Sequence, residues 1–232
     1  MAGRGAAARA ASRGARLRAP TDRLERWLWR QGAGVLVACD EVGRGAWAGP
    51  ISVGALALVP GAGPAPTEVR DSKLLGASRR EALVPALAGW AHGVAVGHAA
   101  ASEVDREGLL GALRLATLRA LAQLPRPDVV LLDGPLDWLG GKAPGRVLAV
   151  VAADRRCVSV AGASVVAKVH RDRLMTGLAA RYPGYGWDRN KGYGTPEHRS
   201  ALTRLGPSPL HRRSWRLPSD PGPGTQDALE LR

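Results

Sequence analysis

Apolar positions along this chain follow two periods. Short runs of Val, Ile, Leu and Ala occupy residues 35–40, 51–59, 93–100, 128–132 and 147–153, and runs of this length bounded by Gly, Pro or Asp predict strands. The first two lie close together, as adjacent antiparallel strands do. Helical spacing separates and follows these runs. Ser78 with Glu81 three residues on is a capping box that opens a helix through about Trp90. Ser102 caps a longer helix, with Leu109, Leu110, Leu113, Leu118 and Leu121 as its apolar stripe. Residues 163–182 repeat Val165, Val166, Val169, Leu174 and Leu178 at helical intervals. Thr195, Pro196 and Glu197 read as the N-cap, first-turn proline and early acid of a final helix to Leu205. Strands and helices in this order predict a mixed α/β layer protein, with helices flanking a central sheet and a helical C-terminal region.

The two ends break the pattern. Residues 1–33 carry Arg4, Arg9, Arg13, Arg16 and Arg18 with no acid before Asp22, which predicts a basic arm without fixed structure. Residues 218–232 are Pro- and Gly-rich and predict a loose tail. Residues 34–217 contain no repeat and no dividing linker, so a single domain is expected there.

Charge changes the picture more than length does. Thirty-three Lys and Arg against twenty Asp and Glu give a net charge of +13, which favours a polyanionic partner such as nucleic acid. No apolar run approaches the roughly eighteen residues of a membrane span, and no apolar signal core follows the N-terminal arginines. A cytoplasmic monomer with no membrane partner is the expectation. Cys39 and Cys157 have no CxxC or Cys/His zinc spacing and read as small buried hydrophobes.

The chemistry concentrates in VACDEVGRGAWAGP, residues 37–50. Asp40 and Glu41 end an apolar run, where acids are costly unless a cation or hydrogen bonds neutralise them, and such oxygens suit Mg²⁺ or Mn²⁺. Asp133 and Asp154 also fall at predicted strand ends, so one sheet edge can gather all four. Successive strand residues face opposite ways, so Asp40 and Glu41 share a site only if the strand ends or bulges beside them. The chain writes its cations almost wholly as arginine, with lysines only at 73, 142, 168 and 191. Lys73 and Lys168 lie near Ser and Gly, as phosphate contacts do.

With these blocks in view, the chain resembles ribonuclease HII, the type 2 ribonuclease H. The resemblance runs in order from about Gly34 to Leu217 through DEVGRGAWAGP (40–50), DSK (71–73), LLDG (131–134), AADRR (152–156), GASVVAKVHRDRLM (162–175), YGWDRNKGYGTPEH (185–198) and HRRSW (211–215). It implies a ribonuclease H-like fold with a mixed central sheet, and an endonuclease for RNA–DNA hybrids and ribonucleotide-containing duplex DNA. It further implies Asp40, Glu41, Asp133 and Asp154 as catalytic ligands of Mg²⁺ or Mn²⁺. Gly43, Arg44 and Gly45 correspond to the element that reads the ribose 2′-hydroxyl. Tyr193 corresponds to the ring that packs on the next sugar, and Lys73, Ser164 and Lys168 to phosphate contacts.

Two positions depart from the family pattern. Ala152 and Ala153 precede Asp154 where a small residue and a glycine are usual, which leaves Asp172 as a competing fourth acid. Trp47 replaces a smaller apolar residue and either crowds the groove or fills core space. Other classes fit less well. The related ribonuclease HIII carries an additional N-terminal domain, a non-catalytic binding protein does not require the four acids, and a kinase calls for a GxxxxGK[ST] loop that this chain lacks.

Overall fold

The computed structural model describes residues 19–218. Five strands form one sheet: β1 (Leu36–Val42), β2 (Ile51–Leu58), β3 (Gly93–Ala99), β4 (Val129–Asp133) and β5 (Arg146–Val150), in the order β3-β2-β1-β4-β5. β1 pairs antiparallel with β2, which pairs antiparallel with β3; β4 lies parallel to β1 and to β5. The sheet is therefore mixed, as expected.

Among the described residues six α-helices accompany the sheet: α1 (Arg23–Arg30), α2 (Ala77–Trp90), α3 (Ala101–Leu121), α4 (Val158–Arg181), α5 (Trp187–Asn190) and α6 (Pro196–Leu205). Strand alternation divides the core between the two faces of the sheet. Val37, Cys39, Val53, Ala55 and Leu132 pack against Val104, Ala112, Leu113 and Ala116 of α3. On the opposite face Leu56 and Leu58 meet Leu83 and Leu87 of α2 and Val165, Val166 and Val169 of α4. Gly54 permits the close crossing of α4, because a Cβ there would meet Ala163 O and Ala167 N.

Several expectations need correction. The basic arm predicted for 1–33 is not without fixed structure where it is described: α1 lies within it, and residues 1–18 fall outside the described residues. The cause is α1's buried side. Leu28 enters the core beside Leu36, Ala38 and Val160, and the buried Glu25 carboxylate accepts from Ser159 N (3.0 Å) and Ser159 Oγ (2.6 Å). Glu25 thus satisfies an otherwise open amide in the first turn of α4. Of the predicted loose tail only residue 218 is described.

The other differences are local. Ser78 and Ser102 lie inside their helices, and the N-cap positions are Gly76 and Ala100. Glu103 does bond back to Ala100 N (2.8 Å). α3 kinks at Gly108, and Leu110 of its predicted stripe is exposed. β5 stops at Val150, and α4 begins at Val158, five residues before the spacing predicted. α6 starts as predicted, with Thr195 Oγ1 accepting from His198 N (3.2 Å). Both cysteines are free and buried, and burial pushes both thiols up, Cys157 to about 12.

Candidate active site

β1 carries the first two acids without a bulge. Its ladder with β2 runs regularly through Asp40↔Gly54, Glu41↔Val53 and Val42↔Ser52. Two features reconcile this with a shared site. The β1–β4 register ends at Cys39↔Leu132, so the next pair along it is Asp40 beside Asp133, both on the face covered by α4. β4 ends at Asp133 while β1 runs on to Val42, so Glu41 overhangs the end of its neighbour. Its carboxylate feels the charge of Asp133 despite facing the other way.

Asp154 arrives by a turn. After β5 the chain enters a left-handed conformation at Ala152 (φ 54°, ψ 42°) and a short 3₁₀ turn, Ala153–Arg155. That turn points the amides of Ala153 and Asp154 at Asp133 Oδ1, at 2.6 and 3.4 Å. Lys73 Nζ stands 3.7 Å from Asp154 Oδ2 and 3.9 Å from Asp71 Oδ1.

The electrostatics are those of crowded anions. Burial raises the Asp40 carboxyl well above its ordinary range; Glu41 raises it further, a bond to Ser164 opposes this, and Asp133 and Asp154 add to it. Burial also raises Glu41 and Asp154, and Asp133 adds to both shifts. Burial works against the Lys73 charge, but Asp71, Asp40, Asp154 and Asp133 outweigh it and raise its pKa. Glu41 Oε2 is buried with no hydrogen-bond partner. Among the described residues no three acidic, His or Cys side chains form a ready-made metal cage. Like charges without a cation between them favour separation.

A cleft of about 280 Å³ opens over this edge. Nine residues expected at the site line it: Asp40, Glu41, Gly43, Arg44, Gly45, Lys73, Ser164, Lys168 and Tyr193. Asp133 and Asp154 lie outside its walls and join it through their charges. Gly43 holds φ +83°, and a Cβ there would strike the Arg171 guanidinium. Ser164 Oγ bonds Ser72 Oγ (2.9 Å), and Lys168 Nζ lies 5.9 Å from the Tyr193 ring centre.

The structure pairs Asp172 with Lys168 (2.8 Å) and Arg80 (3.9 Å), on the wall of a neighbouring cleft. It is an ion-pair partner rather than a member of the acid edge. Trp47 lies against Gly194, with His198 and the Arg199 guanidinium beside its ring at 5.7 and 5.4 Å, and does not line the cleft. His198 and His211 are buried and bonded to each other (3.0 Å), which makes them structural.

Sequence reasoning passed over three residues. Asp71 is buried, caps the turn Ser72–Leu74 through Lys73 N (3.0 Å) and meets Arg155 Nε at 3.4 Å. Arg171 and Arg212 are fully buried behind the Gly43–Gly45 loop. All three stand inside motif blocks, but sequence spacing does not reveal that a charged residue is buried.

A mixed sheet in this order, with acids gathered where β1 overhangs β4, defines the ribonuclease H-like class of α/β enzymes. Comparison with known proteins narrows the class. The family model for ribonuclease HII matches residues 37–217. A ribonuclease HII of Streptomyces avermitilis is 47% identical over 198 residues, covering 84% of this chain and 83% of that protein. One from Thermus thermophilus is 49% identical over 192 residues, covering 83% and 91%. The fold is similar to the ribonuclease HII chain in the structure of its complex with PCNA from Archaeoglobus fulgidus (TM-score 0.66, 24% identity, 79% of this chain and 96% of that one). The chain belongs to the ribonuclease HII family, and the activity that follows is that of an endoribonuclease.

Proposed function

We propose that this enzyme hydrolyses the RNA strand of RNA–DNA hybrids and cuts on the 5′ side of a ribonucleotide embedded in duplex DNA. The products are a 3′-hydroxyl and a 5′-phosphate, with Mg²⁺ or Mn²⁺ held by Asp40, Glu41, Asp133 and Asp154. The observation that carries the reading is the unpartnered, buried Glu41 Oε2 beside the raised carboxyls of Asp40 and Asp154. An all-oxygen anionic set with an unused acceptor fits a hard divalent cation. When bound, a cation pair supplies activation of the attacking water and stabilisation of the leaving 3′ oxygen.

The remaining work falls to the chain itself. Gly43, Arg44 and Gly45 bring backbone close enough to detect one hydroxyl group, the only difference between RNA and DNA at the cut. Tyr193, tied by its hydroxyl to Gly43 N (3.2 Å), sets a ring against the neighbouring sugar. Lys73, Ser164 and Lys168 face the phosphates. Among the described residues no histidine lines the cleft, and the scheme requires none as a base. The net charge of +13 favours the polyanion throughout.

The test is a duplex with one embedded ribonucleotide, incubated with Mg²⁺, with Mn²⁺ or with EDTA. One cut 5′ of the ribonucleotide is expected with either ion, and none with EDTA or on an all-DNA duplex. Absence of cleavage with both ions sinks the proposal.

A further inference from the structure

Two cations lie in the core of this protein without a direct ion pair, with Asp105 and Asp172 acting on Arg212 and Arg171 only at longer range. Arg171 and Arg212 are both fully buried, and among the described residues neither is paired with a carboxylate within 4.0 Å. Burying a guanidinium is costly unless its N–H groups find acceptors. Here the acceptors are backbone carbonyls. Arg212 donates to Gly43 O (2.6 Å), Arg44 O (2.9 Å) and Gly49 O (3.2 Å). Arg171 donates to Ala48 O (3.2 Å), Pro50 O (2.9 Å) and Lys191 O (2.9 Å). Together they bind both limbs of the turn at 43–50 and reach the loop that carries Tyr193.

Peptide geometry gives this a consequence. Within one planar trans peptide, C=O of residue i and N–H of residue i+1 point in opposite directions. Drawing the carbonyls of Gly43 and Arg44 inward therefore turns the amides of Arg44 and Gly45 outward, toward the cleft these residues line. Neither amide has a hydrogen-bond partner among the described residues. Burial and the neighbouring Arg171 lower the Arg212 pKa to about 10, and the residue still carries its charge at neutral pH. The indole of Trp215 covers the Arg212 guanidinium at 5.1 Å.

We propose that Arg212 is a positioning residue for ribose recognition: by taking the carbonyls of Gly43 and Arg44 it holds the next two amides open as donors for the 2′-hydroxyl. The inference rests on the proposed function and adds to it a residue from the far end of the domain. A fork of coplanar donors spans three carbonyls, whereas an ammonium does not. Lysine at 212 keeps the charge and loses the clamp.

The experiment compares the unaltered protein with Arg212→Lys and Trp215→Ala. Each is assayed well below its melting temperature on a single-ribonucleotide duplex and on a continuous hybrid. For Arg212→Lys, kcat/KM on the single ribonucleotide should fall on the order of tenfold to a hundredfold, chiefly in kcat, and more than on the hybrid, whose neighbouring 2′-hydroxyls offer a loosened loop alternative contacts that a lone ribonucleotide does not. Trp215→Ala should shift the ratio of the two substrates the same way, by less. Simple loss of folded protein lowers both substrates alike and leaves the ratio unchanged. An unchanged ratio in Arg212→Lys overturns the inference. If that variant does not fold, an unchanged ratio in Trp215→Ala does so. Failure of the unaltered protein to cut the ribonucleotide overturns the proposed function itself, and this inference with it.

Discussion

Gly43 donates its backbone N–H to the hydroxyl of Tyr193 at 3.2 Å, across a separation of 150 residues. The bond joins the end of β1 to the loop before α6, and so couples two walls of the cleft. Arg171 strengthens the tie, with its guanidinium 5.3 Å from the Tyr193 ring centre and one arm on Lys191 O.

Tyr193→Phe should test this bond alone. Removing one neutral hydrogen bond costs about 1 kcal/mol, or roughly fivefold in kcat/KM at a single ribonucleotide. Tyr193→Ala should cost more, because the ring is lost as well, and should lower activity further than it lowers the melting temperature. Wild-type kinetics in Tyr193→Ala remove the residue from substrate recognition.

Asp40→Asn and Asp133→Asn should each abolish cleavage while leaving hybrid binding largely intact. Asp40→Asn should also raise the melting temperature measured in EDTA, since it removes a buried charge that Glu41, Asp133 and Asp154 repel. Calorimetry and gel-shift binding check the two halves. Full activity in either variant contradicts the assignment of the acids.

Stability should fall as the solution is acidified, through His211. Burial first, then His198, holds this imidazole down to about 4 against an ordinary 6.5. Its Nδ1 accepts from Ser208 N (2.9 Å), so protonation there breaks a bond in the core. Between those values the unfolded chain binds a proton that the folded chain does not. Stability is therefore full above 6.5 and declines as pH drops toward 4. Thermal melts across that window should show the decline, and His211→Gln should flatten it.

Leu28→Ala should destabilise the domain by about 2–5 kcal/mol, the usual cost of emptying a fully buried leucine site. Activity per folded molecule should be retained, because Leu28 packs against Leu36 and Val160 rather than in the cleft. Denaturant melts reporting no loss show that α1 is not part of the cooperative core.

Much of the site was legible because its chemistry is written in local blocks. Asp40, Glu41, Gly43, Arg44 and Gly45 are contiguous, and an acid pair before a glycine turn is visible in one dimension. Tyr193 and Lys168 carried signal through their motif neighbours. α1 was hidden because five arginines ahead of it dominate the composition, while its anchoring depends on single contacts from Leu28 and Glu25 to distant segments. Asp172 and Asp154 are both acids inside motif blocks, and it is the ion pairs of Asp172 with Lys168 and Arg80 that set it apart.

Sequence by itself determined the α/β class, the strands that end in acids and the family, because hydrophobic period and motif order are properties of neighbours along the chain. Tertiary structure alone decided that β1 overhangs β4 at Glu41, that Asp154 turns back onto Asp133, and that two buried arginines hold the turn at 43–50 by its carbonyls. Those relationships depend on strand register and on desolvation, which arise only when segments 21 to 169 residues apart along the chain exclude water from one another.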